Sequence, residues 1–271
     1  MYRQSRLSDP LIDLSLFRTR AFSASLTAYG LATFVAFGMF LFVAQYLQLV
    51  YGLSPSQSGL CMVPGFAGFI LGSLATPKIS AMVRPAFVMA VGLVVAAVGF
   101  LLLTQVAGVY GLAILVLGYA VFSVGLAPVF TLATDLVIGS TTAERAGAAA
   151  AVSETASELG GALGIAILGS LGAAVYRAEI ARGVPAGIGA DATAIARDTL
   201  GGAVHVAGLL PDELRDQLLF AARDAFASSV ELTAATSAVL AIGLAVMTAI
   251  LLRRVPTGAH SDEPIAAVAA T

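Results

Sequence analysis

Long apolar runs separated by short polar segments dominate this chain of 271 residues. Four stretches contain no charged residue at all: 21–77, 85–134, 159–176 and 232–252. A helix needs about 20 predominantly apolar residues to cross the hydrocarbon core of a bilayer. The first two stretches are long enough for two crossings each, and the last two for one each. The pattern therefore predicts six transmembrane helices.

Turn residues divide the two long stretches, at 52–59 and at 105–111. The runs lack the period-two alternation that is typical of strands. We expect spans near 22–50, 56–76, 86–104, 110–136, 146–175 and 229–252. The chain then divides into a pre-membrane segment (1–20), five spans (21–176), a long connection (177–228), a sixth span (229–252) and a tail (253–271) that we expect to be disordered.

The connection 177–228 is the only sizeable aqueous segment between the predicted spans. Pro211, Asp212 and Glu213 are typical of a helix start. Residues 214, 218, 222 and 226 then form an apolar stripe, and a second short helix is expected over 190–200. The connection is predicted to be either a helical hairpin that caps the bundle or a lid over a substrate path.

Composition excludes several classes of protein. Hydrophobic residues make up 59% and charged residues 11% of the chain, whereas soluble domains are roughly 25% charged, so a soluble enzyme is excluded. The net charge of −2 offers no basic field for nucleic acid. The chain has one cysteine and two histidines and no catalytic or phosphate-binding motif. We therefore expect no enzyme activity, no cofactor and no metal site.

The distribution of Lys and Arg predicts the orientation. Six crossings place both termini on one side of the membrane, and the two short loops on the other side carry neither Lys nor Arg. The basic residues on the side of the termini are Arg3, Arg6, Arg18, Arg20, Lys78, Arg84, Arg145, Arg253 and Arg254. By the positive-inside rule, we expect a multi-pass protein of the cell (plasma) membrane with both termini cytoplasmic.

Two acids lie deep in the fifth predicted span. Arg145 and Arg177 mark its water edges, which places the midpoint at residue 161. At about 1.5 Å per residue, Glu158 lies about 4–5 Å from the midplane, and Glu154 lies one turn further away on the same face. An ionised acid at the helix centre costs roughly 2.5–3.5 kcal/mol. These acids must face a watery cavity, stay protonated, pair with a group outside the chain or hydrogen-bond to a neighbouring helix.

Further side chains in the spans have two interpretations. Asp135 and Arg145 either form a gate or proton path or are solvated at helix ends. The glycines 160, 161, 164 and 169 are typical of close helix packing. The aromatic residues Phe34, Phe37, Phe40 and Phe42, together with Met39, either line a path for an apolar ligand or face lipid and packed helices.

Four segments resemble the drug:proton antiporters of the major facilitator superfamily, in the fourteen-span, Qac-type multidrug efflux branch. They are DPLIDLSLFR (9–18), YLQLVYGLSP (46–55), QSGLCMVP (57–64) and SETASELGGALGIAILGS (153–170). The last is the most specific, and the resemblance covers residues 5 to about 255. It implies proton-driven export of lipophilic or cationic drugs. It assigns proton coupling or cation binding to Glu154 and Glu158.

The resemblance places the chain at helices nine to fourteen of such a pump. The expected fold is an all-α polytopic membrane protein, with six transmembrane helices forming one half of a major-facilitator bundle and a helical external connection between helices five and six. The expected partners are small lipophilic or cationic substrates, protons, membrane lipid, and a missing amino-terminal half or a second copy. The alternative is a truncated, non-transporting membrane fragment with a structural or regulatory role.

Overall fold

The computed structural model describes residues 17, 19–142, 145–253 and 255. This part of the chain is helical and contains no strand. The elements are α1 (Arg20–Gln45), which continues as a π-helical segment (Tyr46–Val50), α2 (Pro55–Met82), α3 (Pro85–Leu103), α4 (Gly111–Gly139), α5 (Ala146–Gly183), α6 (Ala190–Asp198), α7 (Leu200–Ala207) and α8 (Asp212–Leu251). The expected disorder of the tail concerns residues that lie almost wholly outside the described ones.

Six of the described helices are long and apolar enough to cross a membrane: α1 with its π-helical extension, α2, α3, α4, α5 and α8. The prediction of an all-α membrane protein with six spans is therefore confirmed.

The break between α1 and α2 follows from the residues at 52–59. Gly52 adopts a positive φ of 68°, which glycine tolerates without steric cost. Ser54 then caps α2: its hydroxyl accepts the Gln57 backbone N–H at 3.3 Å, and the Gln57 side-chain oxygen accepts the Ser54 N–H at 2.9 Å. Pro55 occupies the first helical turn. This reciprocal capping box satisfies two backbone donors that a helix start leaves unpaired.

The helices pack as a bundle around α1 and α4. α1 contacts α4, α5 and α8, whereas α4 contacts α2 and α3, and α8 also packs on α3 and α5. In the most apolar 18-residue segment of α3, 56% of the positions are buried, against 17% in α2 and 28% in α5. Much of the surface of α2 and α5 is therefore left uncovered by this chain.

Glycines allow α3 and α4 to approach closely. A Cβ at Gly99 would meet the backbone of Phe122, and a Cβ at Gly125 would meet the backbone of Ala96. Because every added side-chain atom would separate the two backbones, these positions need a residue without a side chain.

Two helices extend beyond the predicted boundaries of the connection 177–228. α5 ends at Gly183 rather than at 176, and α8 begins at Asp212 and runs without a break through the expected start of the sixth span at 229. No Pro or Gly interrupts 212–242, and Leu218, Ala222 and Phe226 stay buried, so nothing ends the helix there. The hydropathy pattern therefore indicated where the most apolar part of each helix lies, and it did not indicate that α5 and α8 continue as helices into the connection.

The connection itself is helical, as expected. The short helix predicted over 190–200 is present as α6, and α7 follows it directly. The Thr199 hydroxyl accepts the Gly202 N–H at 3.0 Å and caps the start of α7. Arg215 of α8 donates to the carbonyls of Ala207 and Leu210 at 3.3 and 3.2 Å, which satisfies acceptors at the end of α7.

Candidate functional site

Glu154 and Glu158 lie on the exposed side of α5. Their i, i+4 spacing places the two carboxylates on one face, one turn apart. The buried positions of the same part of α5 are Ser153, Gly160, Gly161 and Gly164. Within the described part of the chain, neither carboxylate forms an ion pair or a hydrogen bond. The two acids therefore share a surface that this chain leaves open.

Close packing of α5 on α1 fixes the direction in which the acids point. A Cβ at Gly160 would meet the carbonyl oxygen of Gly30, and a Cβ at Gly164 would meet the backbone of Phe34. The predicted close helix contact is therefore present at these two glycines, whereas a Cβ at Gly169 would meet no atom within 4 Å. Since the contact is backbone to backbone, α5 cannot rotate without separating from α1.

A pair of hydroxyls joins α1 to α5 between the two acids. The oxygens of Thr33 and Ser157 lie 3.2 Å apart. Thr33 donates its proton to the Tyr29 carbonyl at 2.9 Å, so Ser157 is the donor to Thr33. Because Ser157 directly precedes Glu158, this bond also holds the register of the acidic turn against α1.

Phe37 borders the acidic face from α1. Its ring lies over Gly161, where a Cβ would come within 3.4 Å of a ring carbon. Gly161 follows Glu158 by less than one helical turn. The Phe37 side chain is 51% exposed, so it is part of the same open surface as the acids.

An aromatic pocket opens on the other side of Phe37, between α1, α2 and α4. Its volume is about 420 Å³, within the range of about 300–1,000 Å³ that is usual for small-molecule sites. Seven of its lining residues are aromatic, including Phe37 and Phe40 from α1, Phe66 from α2 and Tyr119 from α4. The acidic face of α5 therefore lies next to Phe37 of α1, and Phe37 lies next to the aromatic pocket between α1, α2 and α4.

The sequence did not decide whether the aromatic residues of α1 line a ligand path or face lipid and packed helices, and the structure places them in different surroundings. Phe37 and Phe40 line the pocket, whereas Met39 and Phe42 are buried. Phe42 packs against Gly172 and lies 6.0 Å from the ring of Phe226. Packing inside the bundle is therefore present for Met39 and Phe42, whereas a ligand path along Phe37 and Phe40 stays a prediction.

The sequence analysis did not predict that α2 and α4 contribute aromatic residues to this pocket. Phe66 and Phe69 of α2, and Tyr119 and Phe122 of α4, are each spaced by three residues. Residues three apart lie on one helix face, so this spacing was the available indication. The spacing does not indicate which helices face each other across the pocket, because that depends on how the helices pack.

A second, smaller cavity lies between α1 and α5 towards α6 and α7. It has a volume of about 210 Å³, and Gln45, Tyr176 and Asp198 are among the residues that line it. The Tyr176 hydroxyl donates to the Ala196 carbonyl at 2.9 Å, and the Asp198 carboxylate lies 3.7 Å from Arg177. The junction of α6 and α7 therefore closes this end of the α1–α5 groove.

Asp135 and Arg145 flank the connection between α4 and α5. Asp135 is half-buried in the last turns of α4, and Arg145 is an exposed residue that directly precedes α5. They lie at the end of the bundle opposite to α6 and α7. Their predicted role in a gate or proton path stays a prediction.

Comparison with known proteins identifies the family. The family model described as Major Facilitator Superfamily matches residues 3–165. The chain belongs to the major facilitator superfamily. Members of this superfamily are transporters, which confirms the predictions of a multi-pass membrane protein and of a chain that is not an enzyme.

Three relatives within the superfamily are named for drug efflux or resistance. The multidrug efflux pump LfrA of Mycolicibacterium smegmatis is 37% identical over 252 residues, which cover 93% of this chain and 50% of LfrA. The tetracenomycin C resistance and export protein of Streptomyces glaucescens is 29% identical, with 99% and 51% covered. The methyl viologen resistance protein SmvA of Salmonella typhimurium is 35% identical, with 89% and 49% covered.

A solved transporter structure has a similar fold. It is a bacterial homolog of the human lysosomal transporter Spinster, in an inward-facing and unoccupied conformation, with a TM-score of 0.56 and 16% sequence identity. The match covers 88% of this chain and 51% of that chain. The chain thus spans about half the length of the relatives and of the solved structure that it matches.

Proposed function

We propose that the chain acts as the carboxy-terminal half of a proton-coupled exporter of lipophilic or cationic drugs, in the fourteen-span, Qac-type branch of the superfamily. The observation that carries the proposal is the position of Glu154 and Glu158 on an uncovered face of α5. This face borders the aromatic pocket through Phe37. Acid and apolar aromatic surface side by side suit a ligand that has both a charge and a lipophilic body.

The energetic cost of the two acids supports a proton-coupled role. An ionised carboxylate near the middle of a transmembrane helix costs roughly 2.5–3.5 kcal/mol. Protonation or a bound cation removes that charge. Glu154 and Glu158 are therefore the groups that exchange a proton for a cationic substrate, and Asp135 and Arg145 form the gate or proton path at the α4–α5 connection.

A second half is required to enclose this site. α2 and α5 have the smallest buried fractions among the six spans, and the acids lie on one of these two helices. Superfamily carriers bind their substrate between two halves that rock against each other. A missing amino-terminal half, or a second copy of the chain, would cover α2 and α5 and form the opposite wall of the cavity. The assembled protein lies in the cell membrane with both termini of this chain cytoplasmic.

Transport in proteoliposomes tests the proposal. The chain is reconstituted together with the half of LfrA that it does not match, and ethidium movement is followed after a proton gradient is imposed. We expect gradient-driven transport that falls at least tenfold in Glu158→Gln and in Glu154→Gln, because neither variant can exchange a proton at the substituted position.

The matched control is Glu179→Gln, which removes a carboxylate from the same helix but at its exposed end, where Glu179 pairs with Arg182 at 3.0 Å. Transport should persist in this variant. Unchanged transport in the double variant Glu154→Gln, Glu158→Gln would refute the assigned sites.

A further inference from the structure

We infer that the smaller cavity between α1 and α5 is part of a hydrated route by which protons reach Glu158 from the end of the bundle that carries α6 and α7. The inference rests on the proposed proton coupling and adds a route that such coupling requires. Superfamily carriers open alternately to the two sides of the membrane, so their acids must exchange protons with water on each side. Asp135 and Arg145 lie at the opposite end of the bundle and serve the other side.

The acids and the cavity lie on one face of α5. Steps of three or four residues stay on one face of a helix, and from Glu158 they pass Gly161, Ile165, Gly169 and Gly172. Ile165, Gly169 and Gly172 line the cavity. At about 1.5 Å per residue, Ile165 lies about 10 Å along the helix from Glu158. The face that carries the acids therefore leads into the cavity.

A change in the packing of α1 on α5 opens the cavity. Near the acids, a Cβ at Gly164 would meet the backbone of Phe34. Towards α6 and α7, the Leu168 side chain lies against Gly38 of α1, and a Cβ at Gly169 would meet no atom within 4 Å. The space that remains between the two helices is the cavity of about 210 Å³. It has room for several water molecules, each of which takes about 30 Å³ in the liquid.

Polar groups line the cavity at its mouth. Gln45 of α1 and Asp198, the last residue of α6, are both exposed and both line it. The Asp198 carboxylate lies 3.7 Å from Arg177, so its charge has a partner and stays in contact with water. Among the described residues that line the cavity, Asp198 is the one charged side chain. A proton that passes the mouth therefore meets no other carboxylate before it reaches Glu158.

The Phe37 ring is the narrow point between the cavity and the acids. It lies over Gly161, which stands between Glu158 and the lining residue Ile165 on the same face of α5. Because the Phe37 side chain is 51% exposed, it can change rotamer rapidly and let water connect the two sides of the ring. A hydronium ion then gives its proton to the Glu158 carboxylate, which leaves a neutral carboxyl group and a water molecule.

Cysteine labelling of the chain alone tests whether the cavity holds water. The single native cysteine, Cys61, is first replaced by alanine. Gly169→Cys places a thiol in the cavity, and Ile167→Cys places one at nearly the same depth on another face of α5, where Ile167 is 54% exposed. The protein in lipid nanodiscs is treated with a positively charged, membrane-impermeant methanethiosulfonate. We expect Gly169→Cys to react about tenfold faster or more, because the reactive thiolate forms in water and is disfavoured in apolar surroundings.

Filling the cavity tests whether it serves proton transfer. Gly169→Leu places a branched side chain in the space, whereas Gly169→Ala adds one methyl group and is the control. In the reconstituted assembly described above, we expect Gly169→Leu to lower gradient-driven ethidium transport at least tenfold and Gly169→Ala to preserve it. Exchange of ethidium between equal concentrations on the two sides should persist in both variants. This exchange needs no net proton transfer, so it reports on folding, assembly and substrate binding.

Equal labelling of the two thiols, or gradient-driven transport that survives Gly169→Leu, would overturn the inference. Loss of exchange together with driven transport would also overturn it, since the glycine would then serve folding or substrate movement rather than a proton route. Equal labelling combined with lost transport in Glu158→Gln would remove the route and leave the acid assigned. Fast labelling of Gly169→Cys combined with unchanged transport in the double variant Glu154→Gln, Glu158→Gln would refute the proton-coupling proposal instead.

Discussion

Single residues decide how tightly α5 lies against α1, and through that contact where the acids point. Gly160 and Gly164 are spaced by one turn and meet the backbone of α1. Gly169 lies in the same helix but has open space around its Cα. The three glycines are identical in sequence terms, yet only two of them are required by the packing.

Gly160→Ala should destabilise the bundle, because its Cβ would meet the carbonyl oxygen of Gly30. Overpacking of this kind costs roughly 1–3 kcal/mol. Gly169→Ala is the control and should be neutral or stabilising by up to about 1 kcal/mol, since alanine favours helix over glycine. Thermal unfolding in mild detergent, followed by circular dichroism, measures both. Equal midpoints for the two variants would contradict the close α1–α5 contact.

At the scale of elements, the long helices α5 and α8 carry the α6–α7 unit on their extended ends. Tyr176 of α5 is 2% exposed and holds α6 through the Ala196 carbonyl. Arg215 of α8 holds the end of α7. The connection is thus attached at both sides to helices that continue into the membrane, and a movement of α5 relative to α8 would be transmitted to it.

Tyr176→Phe should loosen α6, because the Ala196 carbonyl loses its buried donor at a cost of about 1–3 kcal/mol. We expect amide hydrogen exchange over Ala190–Asp198 to accelerate by roughly fivefold or more, measured by mass spectrometry in nanodiscs. Tyr110→Phe is the control, since the Tyr110 side chain is 76% exposed. Unchanged exchange in Tyr176→Phe would show that other contacts hold α6 in place.

On the scale of the whole molecule, the uncovered surfaces determine what the chain must associate with. α2 exposes an apolar stripe that includes Leu60, Val63, Leu71 and Leu74. α3 also has exposed apolar residues, such as Val91 at 62%, although it is buried on its other side. Exposure alone does not separate a lipid-facing surface from a partner-facing one, so the two need an experimental distinction.

Quenching by brominated lipid provides that distinction in a chain without native tryptophan. Leu71→Trp and Val91→Trp replace residues that are 66% and 62% exposed. We expect both to be quenched alike in the chain alone. After assembly with a tryptophan-free second half, only Val91→Trp should stay quenched, because the partner covers α2. Equal quenching after assembly would refute α2 as a contact surface, and protection of Leu71→Trp in the chain alone would indicate a second copy as the partner.

The sequence by itself determined the helical class, the number of spans and the place of the two acids along α5. These properties depend on local hydropathy and on the fixed geometry of a helix, both of which can be read from consecutive residues. The turn at 52–59 and the helix over 190–200 were predictable for the same reason, since their capping and breaking residues act on their neighbours. The continuation of α5 to Gly183 and the unbroken run of α8 through residue 229 were not, because a helix continues past the most apolar segment when its buried stripe continues.

Only the tertiary structure decided which faces meet and which stay open. It separated Gly160 and Gly164 from Gly169, and Phe37 and Phe40 from Phe42, although each group shares one residue type. It also brought Phe66 and Tyr119 together from helices separated by some fifty residues of chain. The physical reason is that contacts between helices depend on the shapes of all the packed helix surfaces together. The local sequence pattern determines only which side chains each helix surface presents.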